Sequence, residues 1–172
     1  EILSRFDVIA IQEVKGDLKA LRTTLKTLGP DWQLIMTDVT RGDAGNGERL
    51  AFLFDSRRVA LSGLACELVV PLERLGEIGP TALERQFART PYAVGFRAGA
   101  ETFVLVTLHV LYGDRPEQRF PELRAIADWM AEWAGQVSSW EQNLVVLGDF
   151  NIDRQGSLLW QAFTSRELVV PN

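Results

Sequence analysis

The sequence predicts an α/β sandwich, with sheets inside and helices outside. Two patterns point to it. Short apolar runs joined by turns, as around Arg49-Leu-Ala-Phe-Leu-Phe-Asp, give antiparallel hairpins, while strand-like runs flanking amphipathic stretches give strand–helix–strand units, and the two together define the class. The chain has 172 residues, 47 % of them apolar and 24 % charged, with five Trp, which is enough for one domain around a substantial core. No internal repeat or low-complexity linker divides it, so residues 1–172 are expected to form a single domain.

Asp7-Val-Ile-Ala-Ile predicts a strand buried on both faces. A helix follows from Leu18 to Leu28, with Leu18, Leu21, Leu25 and Leu28 on one stripe, Asp17 as N-cap and Gly29-Pro30 as the stop. Trp32 to Thr37 predicts a strand, and Asp38 to Glu48 a glycine-rich loop that is flexible or functional. Arg49 to Asp55, Val59-Ala-Leu and Ala65 to Val70 predict antiparallel strands, the first two joined by Asp55-Ser-Arg-Arg. Pro71 to Glu84 lacks periodicity and predicts a long surface excursion. Ala93 to Arg97 and Phe103 to Leu108 predict a strand pair across Ala98-Gly-Ala-Glu. A helix beginning at Pro116 or Arg119 and running to Val137 places Phe120, Leu123, Ile126, Met130, Trp133 and Val137 near one face. Asn143 to Leu147 predicts a buried strand, the segment after Gly156 a short helix, and Leu168-Val-Val a further strand.

No apolar run approaches the ~20 residues needed to cross a bilayer, and the opening Glu1-Ile-Leu-Ser-Arg-Phe-Asp lacks the order of a signal peptide, so a soluble segment is expected. The start at Glu1 and the stop at Val169-Val-Pro-Asn suggest a piece cut from a longer chain, which leaves compartment and oligomeric state open. The single Cys66 excludes an internal disulfide and a cysteine-rich zinc site, so any bound metal is expected to have oxygen ligands. A net charge of −5 argues against a broad electrostatic clamp on nucleic acid and favours a small or lipid phosphate over avid duplex binding. Against that, Arg41, Arg49, Arg57, Arg58, Arg74, Arg85 and Arg89 crowd the middle of the chain and could contact a groove locally.

Three buried runs end in polar groups suited to one site. Glu13 closes the first, and a carboxylate there either handles a ligand at the carboxyl end of an interior strand or simply opens a loop. Gly148-Asp-Phe-Asn closes another. Gly148 permits close approach and Asp149 and Asn151 face alike if the chain stays extended, although an Asx turn suits the same residues. His109, the only histidine, is either a structural group or a proton-transfer group, and Glu48 is the candidate carboxylate to hold its tautomer. Arg89, in Phe87-Ala-Arg-Thr-Pro-Tyr, is a candidate phosphate fork or a solvated charge.

Five segments in order, Ile11-Gln-Glu-Val, Gly47-Glu-Arg-Leu-Ala-Phe-Leu-Phe, Phe87-Ala-Arg-Thr-Pro-Tyr, Leu108-His and Leu147-Gly-Asp-Phe-Asn, resemble the endonuclease/exonuclease/phosphatase superfamily, its deoxyribonuclease I branch above all. The resemblance implies a four-layer α/β/β/α sandwich of two mixed, largely antiparallel sheets. It implies a metal-dependent phosphodiester hydrolase using Mg²⁺, Mn²⁺ or Ca²⁺, most consistent with a DNA endonuclease. By the same likeness Glu13 is the metal ligand, Asp149 and Asn151 orient water and stabilise the transition state, His109 with Glu48 serves the leaving group, and Arg89 contacts the substrate phosphate. The expected partner is nucleic acid, DNA before RNA, or another phosphate ester.

The chain departs from the family pattern in two places. Members carry an asparagine on a strand upstream of the Gln-Glu motif and a Ser-Asp-His string downstream of Gly-Asp-Phe-Asn, and neither is in this sequence. The domain is therefore expected to be incomplete at both termini, and these 172 residues alone weak or inactive. The other readings are a phosphatase or phospholipid phosphodiesterase on the same scaffold, and a non-catalytic interaction module.

Overall fold

A computed structural model describes residues 1–40, 47–69, 87–136 and 143–171. Among these, β1 (Val8–Val14), β2 (Trp32–Met36) and β3 (Arg49–Asp55) form an antiparallel sheet in the order β1-β3-β2. A second sheet runs β4-β5-β6-β7, built from β4 (Ala60–Glu67), β5 (Tyr92–Ala98), β6 (Glu101–His109) and β7 (Leu144–Asp149). Its first two pairings are antiparallel, and the last, β6 with β7, is parallel.

Each sheet receives one helical crossover. The helix α1 (Lys19–Leu28) links β1 to β2, which run parallel to each other on either side of β3, and α2 (Phe120–Gly135) links β6 to β7. A crossover between parallel strands must pass over one face of the sheet, so each helix covers an outer face once the inner faces pack together. Four layers result: α1, the two sheets, and α2 with α3 (Leu158–Thr164).

Alternation along the strands decides what fills each interface. Leu50, Phe52 and Phe54 of β3 meet Tyr92, Val94 and Phe96 of β5 between the sheets. Phe96 is fully buried there, its ring edge-on to Phe52 at 5.5 Å and to Phe54 at 5.7 Å. Facing outward on the second sheet, Ala93, Val104, Val106 and Leu108 pack under Leu123, Ile126, Met130 and Trp133 of α2 and Leu159 and Phe163 of α3. The α1 stripe at Leu18, Leu21, Leu25 and Leu28 is half-buried, and Asp17 Oδ1 accepts the Lys19 N–H at its start.

Several expectations are corrected. The first strand continues past Ile11 to Val14 through a bulge, and β1 and β7 are edge strands of the described sheets rather than strands buried on both faces, with Val8 to Ile11 half-buried and Val145 exposed. Val59-Ala-Leu and Ala65 onward belong to one strand, β4, whose register shifts between Leu61 and Ala65 around Gly63 at φ +109°. Asp55-Ser-Arg-Arg joins β3 to β4 across the two sheets rather than closing a hairpin, since β4 pairs with β5 and β3 with β1 and β2. Phe120 is exposed, because a 3₁₀ turn at Pro116–Arg119 precedes α2 and rotates that residue away from the sheet. Leu168-Val-Val forms no strand: β-prone residues need a ladder partner, and this segment has none among the described residues, leaving Val169 90 % exposed. The excursion at 71–84, the loop interior at 41–46 and Val137 lie outside the described residues.

Candidate active site

Topology gathers the functional side chains at one rim. β1, β6 and β7 all end there, since β6 and β7 run parallel with His109 beside Asp149. β3 starts there, antiparallel to β1 with Arg49 opposite Val14, and so delivers Glu48. β5 starts there too, with Tyr92 opposite Thr107, and brings Arg89 from the segment before it.

His109 is the centre of the group, with its side chain 8 % exposed. Its Nδ1 lies 3.1 Å from Glu48 Oε2, an electrostatic contact off the line of a hydrogen bond. Its Nε2 faces the rim, 4.0 Å from Glu13 Oε1 and 4.0 Å from Asp149 Oδ2. One imidazole thus has a buried carboxylate behind it and two exposed carboxylates in front.

Glu48 is buried and shared between two cations. Oε1 accepts from Lys15 Nζ at 2.7 Å and Oε2 from Arg89 Nε at 2.5 Å. Burial pushes its carboxyl up, but the hydrogen bonds from Lys15 and Arg89, with their charges, more than offset this and hold it below the ordinary value. Glu48 is therefore an anion at neutral pH, fit to stabilise an imidazolium.

Two residues at the rim adopt left-handed backbone without being glycine: Glu13 at φ +59° and Asn151 at φ +49°. Such positions cost of order 1–3 kcal/mol each and gather where a side chain must be aimed. At Glu13 the strain accompanies the bulge between Ile11 and Val14, which turns the carboxylate out beside His109. At Asn151 it closes an Asx turn. The Asn151 N–H donates to Asp149 Oδ1 at 2.9 Å, and its Nδ2 donates to Val110 O at 2.7 Å. The turn leaves Asp149 Oδ2 as the oxygen directed at His109.

Gly148 makes this register reachable. At φ +140°, a Cβ built on it would clash with the Leu108 carbonyl oxygen and lie 2.9 Å from Leu108 N. Behind the rim, Gln12 Nε2 donates to Thr107 Oγ1 at 2.8 Å, joining β1 to β6 across the two sheets.

All six residues singled out in the sequence, Glu13, Glu48, Arg89, His109, Asp149 and Asn151, are on or directly behind this rim. Arg89 is buried, with its Nε–H directed at Glu48. Three further charged residues that the sequence analysis did not single out lie beside the rim. Lys15 lies two positions beyond Glu13, a spacing that keeps it at the strand end. Arg119 and Glu122 lie on the approach to α2 and its first turn, and only their charge beside an apolar helix face marked them.

Among the described residues no group of three or more Asp, Glu, His or Cys forms a closed metal cage. The donor chemistry nevertheless fits a hard divalent cation. Glu13 and Asp149 present exposed carboxylates, each 4.0 Å from His109 Nε2, and Mg²⁺ needs only one or two carboxylates when water and phosphate complete its shell.

No protein-family model matches the chain. It is 31 % identical over 163 residues to a protein of Thioalkalivibrio sp. (strain K90mix) named deoxyribonuclease, a match that covers 88 % of this chain and 40 % of that protein. The chain therefore spans less than half the length of this curated relative. Among solved structures it is similar to ANGEL2, a 2′,3′-cyclic phosphatase, with TM-score 0.65, 20 % identity, and 95 % of this chain and 45 % of that one covered. It is also similar to an endonuclease/exonuclease/phosphatase family protein of Bacteroides thetaiotaomicron, with TM-score 0.64, 17 % identity, and 96 % and 57 % covered.

Proposed function

We propose that this chain is a member of the endonuclease/exonuclease/phosphatase superfamily and that its rim is the active site of a divalent-metal-dependent phosphodiester hydrolase acting on DNA, a reading supported by the relative named deoxyribonuclease and by the shared fold. The observation that carries the reading is His109, backed by Glu48 at 3.1 Å and facing Glu13 and Asp149, each at 4.0 Å.

Hydrolysis of a phosphodiester needs an oriented water, charge compensation on the non-bridging oxygens and a proton for the departing oxygen. Asp149, its carboxylate fixed by the Asx turn, accepts a hydrogen bond from the attacking water, and Asn151 holds the neighbouring position. His109 gives its Nε2 proton to the leaving oxygen as the phosphorus–oxygen bond breaks. Glu48 stabilises the imidazolium before that transfer, and the charges of Lys15 and Arg89 keep Glu48 ionised. Arg89 also places positive charge where the substrate phosphate docks. Glu13, together with Asp149, would hold a divalent cation such as Mg²⁺, Mn²⁺ or Ca²⁺, which would supply charge compensation for the phosphoryl oxygens.

DNA is favoured as substrate by the relative named deoxyribonuclease. The net charge of −5 favours instead a small or lipid phosphate ester, which makes a phosphatase or phospholipid phosphodiesterase the second reading. A non-catalytic module gives no account of a rim with two strained non-glycine residues, one of them aiming an exposed carboxylate at a histidine paired with Glu48.

The test is nicking of supercoiled plasmid by the full-length protein. Activity with Mg²⁺ or Mn²⁺ and loss in EDTA are expected, with Asp149→Asn at least about 100-fold slower. Undiminished nicking by Asp149→Asn removes that residue from the mechanism. A wild-type protein that ignores plasmid but releases phosphate from a cyclic nucleotide, or cleaves a phospholipid diester, establishes the second reading.

A further inference from the structure

Just before α2 and in its first turn, two charged side chains face the protein interior. Arg119 is 4 % exposed and touches both loops that leave the rim. Its Nε donates to Tyr112 O at 2.6 Å in the loop after β6. Its Nη1 donates to Asn151 O at 2.9 Å and to Asp153 Oδ1 at 3.2 Å in the loop after β7, and its guanidinium lies 4.3 Å from the centre of the Tyr112 ring. Glu122, one turn further on, joins a different pair. Its Oε1 accepts the Ala88 N–H, next to Arg89, and its Oε2 accepts the Leu111 N–H at 2.7 Å, two residues past His109.

We propose that Arg119 and Glu122 are positioning residues of the hydrolytic site: Arg119 holds Asn151 in its left-handed conformation, and Glu122 fixes the separation between the Arg89 and His109 segments. The inference rests on the rim being the active site and extends it to side chains that touch no reacting atom. Its physical basis is backbone hydrogen bonding. The Asn151 carbonyl belongs to a strained residue outside any ladder, and the loops carrying Tyr112 and Asn151 join different elements, so only a planar fork with several donors can hold both at once. Lysine offers one point charge and cannot reproduce the arrangement. Glu122 likewise uses both carboxylate oxygens, where glutamine has a single acceptor oxygen.

The test uses the full-length protein and two readouts. Amide hydrogen exchange is expected to rise in segments 110–114 and 150–153 in Arg119→Lys, and at 88 and 111 in Glu122→Gln, with the β5–β6 ladder unchanged. This arm does not depend on activity, so a wild type without nuclease activity sinks the functional reading and leaves the clamp measurable. The kinetic arm expects kcat to fall by about 10- to 100-fold with KM changed less than about threefold, as for a reacting group displaced by about an ångström. It also expects non-additivity: Arg119→Lys should cost little more once Asn151→Ala is present. Unchanged exchange in the named segments overturns the clamp. Local exchange with fully additive kinetic losses overturns the positioning role and leaves a merely structural one.

Discussion

Glu48 and Glu122 occupy neighbouring positions behind the same rim yet respond oppositely to it, because one is surrounded by cations and the other by backbone amides. Hydrogen bonds and charge from Lys15 and Arg89 outweigh burial at Glu48, so its carboxyl titrates below the ordinary 4.5. The unfolded chain then takes up that proton first as pH falls, and the stabilisation is complete above about 4.5 and fades below it. At Glu122 burial dominates over the Ala88 and Leu111 amides and raises the carboxyl above 4.5. Its contribution is complete below 4.5 and fades as pH rises through the raised folded value. Thermal melts from about pH 3 to about pH 7 should therefore show Glu48→Gln with a flatter acid limb than wild type, whatever its overall stability, and Glu122→Gln with less decline toward neutral pH. Parallel curves for all three proteins would contradict both assignments.

At the scale of the element, the pairing of β6 with β7 positions the rim, and it depends on Gly148. The φ of +140° there is reserved in practice for glycine, and a methyl group would meet the backbone of Leu108. Gly148→Ala must push the two strands apart at the position where His109 lies beside Asp149. We expect destabilisation of about 1–3 kcal/mol in urea titration, together with lost hydrolysis, since the 4.0 Å approach of Asp149 to His109 cannot survive the shift. An alanine variant as stable and as active as wild type would show that the register tolerates a side chain. The bulge in β1 acts in the same way: one irregularity in an otherwise regular strand turns Glu13 toward the rim.

At the scale of the whole molecule, the two sheets hold the rim together through the aromatic cluster between them. Phe96 has no solvent exposure and contacts Phe52, Phe54 and Phe103. Truncation to alanine should cost about 3–5 kcal/mol, read as a lower urea midpoint at unchanged m-value. A cost under about 1 kcal/mol would mean that the sheets close over the gap. The rim takes residues from both sheets, Glu13 and Glu48 from one, His109 and Asp149 from the other, so loosening this interface should lower activity before the protein unfolds.

Amphipathic spacing and turn residues were sufficient to predict the sandwich, the β5–β6 hairpin and both crossover helices, because burial of alternating or periodic apolar positions is a local property of the chain, whereas the choice of sheet for β4 was not. Strand-end positions likewise marked Glu13, Glu48, Arg89, His109, Asp149 and Asn151. Three-dimensional packing alone decided the rest: that β1 bulges, that Leu168-Val-Val stays out of the sheet, that Arg89 lies against Glu48, that Lys15 pairs with Glu48, and that Arg119 and Glu122 hydrogen-bond the backbone of the loops beside the rim. These outcomes depend on partners tens of residues away, and a charged side chain carries no sequence mark of whether a distant backbone carbonyl or carboxylate awaits it.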